Sequence, residues 1–308
     1  MCSITLEEFK IAYNRLKPFI NVTKLEKYKD NIFLKKESNQ KTGSFKWSGV
    51  LYAIMKVFDN LLLNKIKPYY IVTQSTGNHG IAMIRAVNVL VSYYKEKNPE
   101  DIDFLNSIIP CVFTNKLIRK KKLNKMINEI KMYKHNNKAF INDDFFDYNS
   151  SLNFRKEFLK INKGVYIEHG GKNILTGYGS IAFEIDKQLP KNKKISFYAA
   201  IGAGGPIGIG LCLSYLRDIN FFIVQTKCFD AFIRSLKSGK IEINKKNNNI
   251  LVSDGIAVDR PEKFALEIAK NIVDKGIVVD KNDVLNLYLE NNLGFSSCIT
   301  LLGLNKNK

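Results

Sequence analysis

Short apolar runs alternate along the chain with segments whose apolar residues recur at helical spacing. "YYIVTQ" at 69–74 leads into "HGIAMIRAVNVLV", and "IIPCVF" at 108–113 leads into a long basic segment of helical period. "KAFIND", "GVYIEH", "ISFYAAI" and "FFIVQT" repeat the strand pattern. β-Branched and aromatic runs of this length, separated by helices, predict parallel βαβ units in an open α/β sheet, with ligands at the carboxyl ends of the strands. The polar stretches "YYKEKNPEDID" at 93–103 and "KKNNNI" at 245–250 read as surface loops. "MCSITLEEFKIAYNRLKPF" reads as an amphipathic helix rather than a secretory signal, and its Thr5 and Glu8 have capping-box spacing.

Two segments invite other readings. Residues 195–215 carry no charge, and Gly204 and Gly208 have the small-xxx-small spacing of membrane helix contacts. Five glycines and Pro206 crowd the middle of that segment, however, so a strand, a glycine loop and a helix explain it better. In "KLIRKKKLNKMINEIKMYK" at 116–134, Leu123, Met126, Ile127 and Ile130 share a face, while Lys120, Lys121, Lys122 and Lys125 lie mostly elsewhere. That pattern predicts an amphipathic helix with a solvated basic side.

The chain has 308 residues, 45% hydrophobic and 25% charged, which suits a globular protein of one or two domains. Its net charge of +19 raises nucleic acid or an anionic membrane as partner. Lysine is spread over the whole length, asparagine is abundant too, and the basic helix lacks stacking aromatics apart from Tyr133, so a broad compositional bias is the better explanation. Neither nucleic acid nor membrane is expected as a partner. Five scattered cysteines, with no Cys-x-x-Cys pair, point away from a disulfide framework and a zinc site and toward the cytoplasm.

Three motifs carry chemistry. "KTGSFKWSG" at 41–49 sets Lys46 between Phe45 and the only tryptophan, Trp47, where desolvation lowers a lysine pKa and raises its nucleophilicity. "QSTGNHG" places Ser75, Thr76, Gly77, Asn78 and His79 between a strand and an apolar helix. Hydroxyls, a side-chain amide and helix-start amides suit a carboxylate and a phenolic oxygen, although Ser, Thr and Asn are also ordinary helix caps. With three histidines in the chain and no paired acid nearby, His79 reads as structural. "IGAGGPIGIG" follows a strand and opens a helix, a geometry that cradles phosphate or packs a helix closely on a sheet. It misses the dinucleotide fingerprint, because Ile207 stands at the third glycine position, and it lacks the Lys-Ser or Lys-Thr of a phosphate-binding NTPase loop.

The order of these motifs resembles the fold-type II pyridoxal-phosphate enzymes, in the threonine/serine dehydratase (ammonia-lyase) and serine racemase branch. "KKESNQKTGSFKWSG" is similar to that family's Lys-Glu-x-x-Gln-x-Thr-Gly-Ser-Phe-Lys-x-x-Gly segment. "ILTGYGSIAFEI" at 174–185 and "SDGIAVDRP" at 253–261 match further segments, and the likeness runs from about Leu25 to about Leu304. It implies two open twisted α/β sheets of the tryptophan synthase beta-like kind, a large cofactor-binding domain at 1–41 and 151–308, and a small inserted domain at 42–150. By the same resemblance Lys46 holds pyridoxal 5'-phosphate as a Schiff base and then moves the α proton. Phe45, Asn78, Gly202, Ala203, Gly204 and Gly205 complete the cofactor set; Ser75, Thr76, Gly77 and His79 face the substrate. Thr76 is also a catalytic candidate, because racemases of the branch place a serine there for a second proton transfer.

The expected activity is removal of the β-hydroxyl and amino groups of L-threonine or L-serine, giving a 2-oxo acid and ammonia, in a homodimer acting on a small amino acid. β-Replacement of the cysteine synthase or threonine synthase kind, racemisation, and a truncated non-catalytic relative are the alternatives. Three departures accompany the resemblance. Ala203 stands where many relatives have glycine, and Gln225 where racemases carry an acid for a divalent cation, so no metal is expected. "GFSSCITLLGL" at 294–304 looks like the family's Ser-Ser-Ala-containing helix, after which the final strand with the pyridine-nitrogen partner is missing. Alternatively "TLLGLN" is that strand, with Leu302 at the polar position. Beside these three, residues 90–107 look longer than the corresponding family segment, and the sequence assigns that insertion no function.

Overall fold

A computed structural model describes residues 4–116, 118–132, 139–145, 148–191, 193–244, 255–291 and 293–307. In chain order the elements are α1 (Leu6–Leu16), β1 (Leu25–Lys29), β2 (Ile32–Lys35), α2 (Lys46–Asn64), β3 (Tyr69–Gln74), α3 (Asn78–Lys97), α4 (Ile102–Leu105), β4 (Ile108–Asn115), α5 (Lys120–Lys131), β5 (Phe140–Phe145), α6 (Tyr148–Ile161) and β6 (Gly164–Tyr166). They continue with α7 (Lys172–Gln188), β7 (Ile195–Ala200), α8 (Gly205–Leu216), β8 (Ile219–Thr226), α9 (Ala231–Ser238), α10 (Lys263–Ile272), β9 (Lys275–Val279), α11 (Lys281–Glu290) and α12 (Phe295–Lys306).

The chain forms two units: Met1–Arg15, Lys24–Lys35 and His169–Lys308 make one, and Leu16–Thr23 with Lys36–Glu168 make the other. The second is built on a parallel sheet in the order β5-β4-β3-β6. All eight residues of β4 are buried, as a strand covered on both faces requires. On one side of this sheet Val72, Ile109, Cys111 and Phe113 gather with Tyr70, Phe140, Phe145, Phe158 and Leu159. Phe113 sits in edge-on contact with four other phenyl rings, a preferred aromatic geometry.

The first unit holds the parallel sheet β7-β8-β9 and the antiparallel pair β1-β2. Its core is Val224, Ile256, Ile277, Val279, Val284, Cys298 and Ile299. Helices α7 and α8 pack closely: a Cβ at Gly208 would run into the Leu175 backbone, so only glycine lets the two axes approach this far. Thr5 and Glu8 close the capping box, Thr5 N donating to Glu8 Oε2 at 2.8 Å and Glu8 N to Thr5 Oγ1 at 3.2 Å.

The mixed architecture with parallel sheets is the one expected from the alternating pattern. Four readings change. Residues 93–103 are largely helical rather than a loop, because α3 runs on to Lys97 and α4 starts at Ile102, with buried Asp101 paired to Lys65 at 2.5 Å. β1, β2 and β9 are not apparent from the pattern: β1 is mostly exposed and charged, and β9 is short. Residues 300–305 are helical in α12, so the match of "TLLGLN" to a final strand fails. On α5 the buried face is turned from the expected one: Ile127 is exposed, while Met126 and Glu129 are buried. The polar stretch at 245–250, Tyr133, and Ser253 and Asp254 of the "SDGIAVDRP" match lie outside the described residues.

Candidate active site

The Lys46 segment is a built turn. Gly43 takes φ +74°, in the left-handed region that favours glycine, and its amide donates to the Gln40 carbonyl at 2.7 Å. Both ends of the Gln40 amide bond the Asn21 backbone, at 2.9 and 2.8 Å, and Arg85 donates to the Lys41 carbonyl. Helix α2 begins at Lys46 with Phe45 as its N-cap residue. Trp47 is fully buried, and its indole N–H donates to the Phe19 carbonyl at 3.0 Å, which fixes the first turn of the helix. Lys46 Nζ stands 4.7 Å from the centre of the Phe45 ring. Burial pulls its pKa down to about 8. Around it in sequence, the hydroxyls of Thr42, Ser44 and Ser48 are buried without a hydrogen-bond partner among the described residues. Buried polar atoms left unsatisfied in this way mark a place for a polar ligand.

The turn after β3 divides its labour. Ser75 is buried, and its Oγ accepts from the amides of Gly77 at 3.2 Å and Gly80 at 3.0 Å, so this hydroxyl caps α3. Thr76 is exposed and Asn78 is partly buried at the first helical position. Among the described residues the amides of Thr76 and Asn78 donate to no protein acceptor, which leaves them available to an anion at the positive end of α3. His79 is buried, and its Nε2 lies 3.3 Å from the Ile167 carbonyl, which also accepts from the Thr73 hydroxyl at 3.1 Å. The imidazole thus braces the end of β6, and of the four residues expected to face a substrate, Thr76 alone presents an exposed side chain.

Of the five glycines in 202–210, three form the turn and two pack helices. Gly204 takes φ +146°, and a Cβ on Gly202 would stand 3.1 Å from Ile256 Cα. Ala203 is not among the positive-φ residues, so its methyl is tolerated, and its carbonyl accepts from the Glu262 amide at 2.9 Å. Gly205 opens α8, with Pro206 in the first turn. Among the described residues the amides of Gly202, Ala203 and Gly204 have no protein acceptor, so the turn offers donors at a helix start where a phosphate is favoured. Gly208 and Gly210 instead face Leu175 and Phe221. Buried Gln225 donates to the Ile201 carbonyl at 3.1 Å and accepts from the Ile233 amide at 3.0 Å, tying the start of the turn to α9.

The profile of the pyridoxal-phosphate dependent enzyme family matches residues 13–93 and 112–291, which include all three motifs. The chain belongs to the pyridoxal-phosphate dependent enzymes. It is 25% identical over 299 residues to the L-threonine ammonia-lyase of Thermotoga maritima, covering 93% of this chain and 66% of that protein. It is 28% identical over 307 residues to the biosynthetic L-threonine dehydratase IlvA of Halalkalibacterium halodurans, covering 94% of this chain and again 66% of the relative. The chain therefore spans just under two thirds of the length of these relatives. Among solved structures, maize serine racemase aligns with a TM-score of 0.77 at 21% identity, over 96% of this chain and 84% of that one. The L-serine ammonia-lyase of the fungus Rhizomucor miehei aligns with a TM-score of 0.71 at 16% identity, over 92% and 85%. The family's cofactor is pyridoxal phosphate, and two features of this chain suit it: a partly buried lysine amine in a segment that also carries orphaned hydroxyls, and a glycine turn at a helix start whose amides have no protein acceptor among the described residues.

One basic residue departs from the pattern. The helical period puts Lys122 on the solvated side of α5, yet its chain lies on Gly77, where an added Cβ would come within 2.6 Å of Lys122 Cδ. Burial, and then the charges of Arg119, Lys125 and Lys46, pull its pKa down to about 8. The usable signal is the spacing of Gly77 and Gly80 on α3 against that of Lys122 and Met126 on α5.

Proposed function

We propose that this protein is a lyase that eliminates the β-hydroxyl and amino groups of L-threonine or L-serine as a 2-oxo acid and ammonia. The observation that carries the reading is the Lys46 amine, partly buried against Phe45 at the start of α2 and held near pKa 8, in a chain of this family whose curated relatives include threonine ammonia-lyases and dehydratases.

Lys46, Phe45, Asn78 and the turn Gly202, Ala203, Gly204 and Gly205 are the residues that would hold the cofactor. When bound, pyridoxal phosphate supplies the electron sink for bond breaking at the substrate α-carbon. Lys46 Nζ supplies the nucleophile, and, being close to half neutral near pH 8, it can take a proton at that carbon and return it to the departing hydroxyl. The amides of Thr76 and Asn78 at the start of α3 orient the substrate carboxylate, and the Thr76 hydroxyl stands ready as a further donor. Ser75 and His79 act behind them, one as the cap of α3 and the other as a brace on Ile167. The reading also takes the small unit to carry the substrate turn, the assembly to be a homodimer in the cytoplasm, and nucleic acid and membrane to be absent as partners. No helix among the described residues is long and apolar enough to cross a membrane.

The direct assay is 2-oxo acid release from L-threonine and L-serine by the cofactor-loaded protein. Turnover that Lys46→Ala abolishes is the expected outcome; formation of the D-amino acid without oxo acid would favour racemisation, the second reading, which draws on the exposed Thr76 hydroxyl. A protein inert toward both amino acids would leave the lyase assignment without support.

A further inference from the structure

Helices α3 and α5 meet along a matched register. A Cβ on Gly80 would lie 2.8 Å from Met126 Sδ, Arg85 pairs with Glu129 at 3.6 Å, and the Asn88 side-chain amide donates to the Met132 carbonyl at 3.2 Å. Met126 is fully buried and Glu129 nearly so, which sets the middle contact, an ion pair, into a packed helix interface. An apolar residue at 129 would continue the buried stripe at lower cost, because a buried ion pair seldom outweighs its own desolvation. Glu129 Oε2 is buried with no hydrogen-bond partner among the described residues. Burial raises the Glu129 pKa and the charge of Arg85 lowers it, so the guanidinium is the counter-charge of this carboxylate.

The pair leads to Lys46. The Arg85 side chain is 31% exposed, enough for it to swing into solvent unless something holds it. Glu129 holds it, and the same Nη1 that faces Glu129 donates to the Lys41 carbonyl. Lys41 opens the turn that ends at Lys46. Gln40 before it is fixed to Asn21, and Trp47 beyond it is fixed to the Phe19 carbonyl. Between these points Gly43 takes its left-handed φ, and the hydroxyls of Thr42 and Ser44 find no partner among the described residues. The stretch has few bonds of its own, so the Arg85 bond to Lys41 is a main restraint on it. A reacting group is held precisely when its supports are themselves locked, and Glu129 locks this one.

We propose that Arg85, oriented by Glu129, is a positioning residue for Lys46: by holding the Lys41 carbonyl it fixes the turn that keeps the Lys46 amine out of water. The proposal rests on the reading of Lys46 as the reacting amine and deepens it by naming the pair that maintains its setting.

The test is competitive acetylation of the full chain, freed of cofactor, with trace acetic anhydride from about pH 6.5 to about pH 10.5, read by mass on the Lys46 peptide. The wild-type midpoint is expected near pH 8, and Arg85→Met should raise it by about one unit, roughly a tenfold fall in neutral amine at pH 7. Glu129→Met should raise it too, by about half a unit or more, while Arg85→Lys, which keeps a charged donor for the Lys41 carbonyl, stays within about 0.3. The sign in Glu129→Met discriminates: losing an anion lowers a lysine pKa by field alone, whereas a loosened turn admits water and raises it. Lys122, the cation on α5 that Lys46 acts on, is present in every variant, so its repulsion is common to all. An unmoved midpoint in Arg85→Met, or a lowered one in Glu129→Met, overturns the proposal, whatever the change in Tm. Should either variant not fold, Arg85→Ala and Glu129→Gln carry the same comparison. Acetylation reads Lys46 without cofactor or substrate, so a protein that passes this test yet releases no oxo acid overturns the lyase reading alone.

Discussion

At the scale of single residues, Lys46 is a group whose placement costs stability. Its pKa falls from an ordinary lysine value to about 8 on folding, so between about pH 8 and pH 10.5 the unfolded chain binds more protons than the folded one, and stability from this group rises with pH across that window. Below pH 8 the full penalty is present. Replacing the amine by an isosteric apolar chain removes it: Lys46→Met should make the cofactor-free protein more stable at pH 7, by at most roughly 3 kcal/mol, and the gain should shrink toward pH 10. Urea unfolding of wild type and variant at the two pH values reads the difference; equal stability at pH 7 would mean that Lys46 is solvated in the folded state. Much of this residue's setting is legible in the sequence. A lysine between phenylalanine and the only tryptophan, after a Thr-Gly-Ser turn, could hardly be fully solvated, and Gly43 and Trp47 take the conformation and burial that those residue types suggest. Ser75 is less legible, because a serine hydroxyl that caps a helix and one that meets a substrate have the same chemistry in sequence, and only the fold decides between them.

At the scale of elements, close approach decides more than propensity does. Gly208 lets the α8 backbone lie against the Leu175 carbonyl of α7, and a methyl there has no flexible side chain to push aside. Gly208→Ala should therefore lower stability by about 1–3 kcal/mol, seen as a drop in Tm of the cofactor-free protein, with the glycine turn itself unaltered. An unchanged Tm would show that α7 and α8 can separate freely. In the sequence the five glycines of 202–210 read as one loop; the steric demand that separates turn glycines from packing glycines comes from Leu175 and Phe221, which are distant in sequence and give no sign of it. The same reason hides Lys122. In a chain with 48 basic residues a lysine on an amphipathic helix reads as solvated, and only the partner helix, with glycine at positions 77 and 80, creates the space it enters. Strands β3, β4, β7 and β8 are apparent from their apolar runs because buried parallel strands need them, whereas the exposed, charged β1 carries no such mark.

At the scale of the whole molecule, two units each carry a parallel sheet, and in each a candidate anion-binding turn lies where a strand gives way to a helix: after β3 in one, after β7 in the other. Open α/β sheets bind ligands at that position because helix-start amides and the ends of the strands converge there. The family match extends over both units, and the proposed point of attachment for pyridoxal phosphate within it is a single atom, Lys46 Nζ. Borohydride reduction of the cofactor-loaded protein, followed by mass analysis of its peptides, tests this most directly. A pyridoxyl group on the peptide containing Lys46, absent from the Lys46→Ala variant, is the predicted result; an unmodified Lys46, with the group on another lysine or on none, would contradict it.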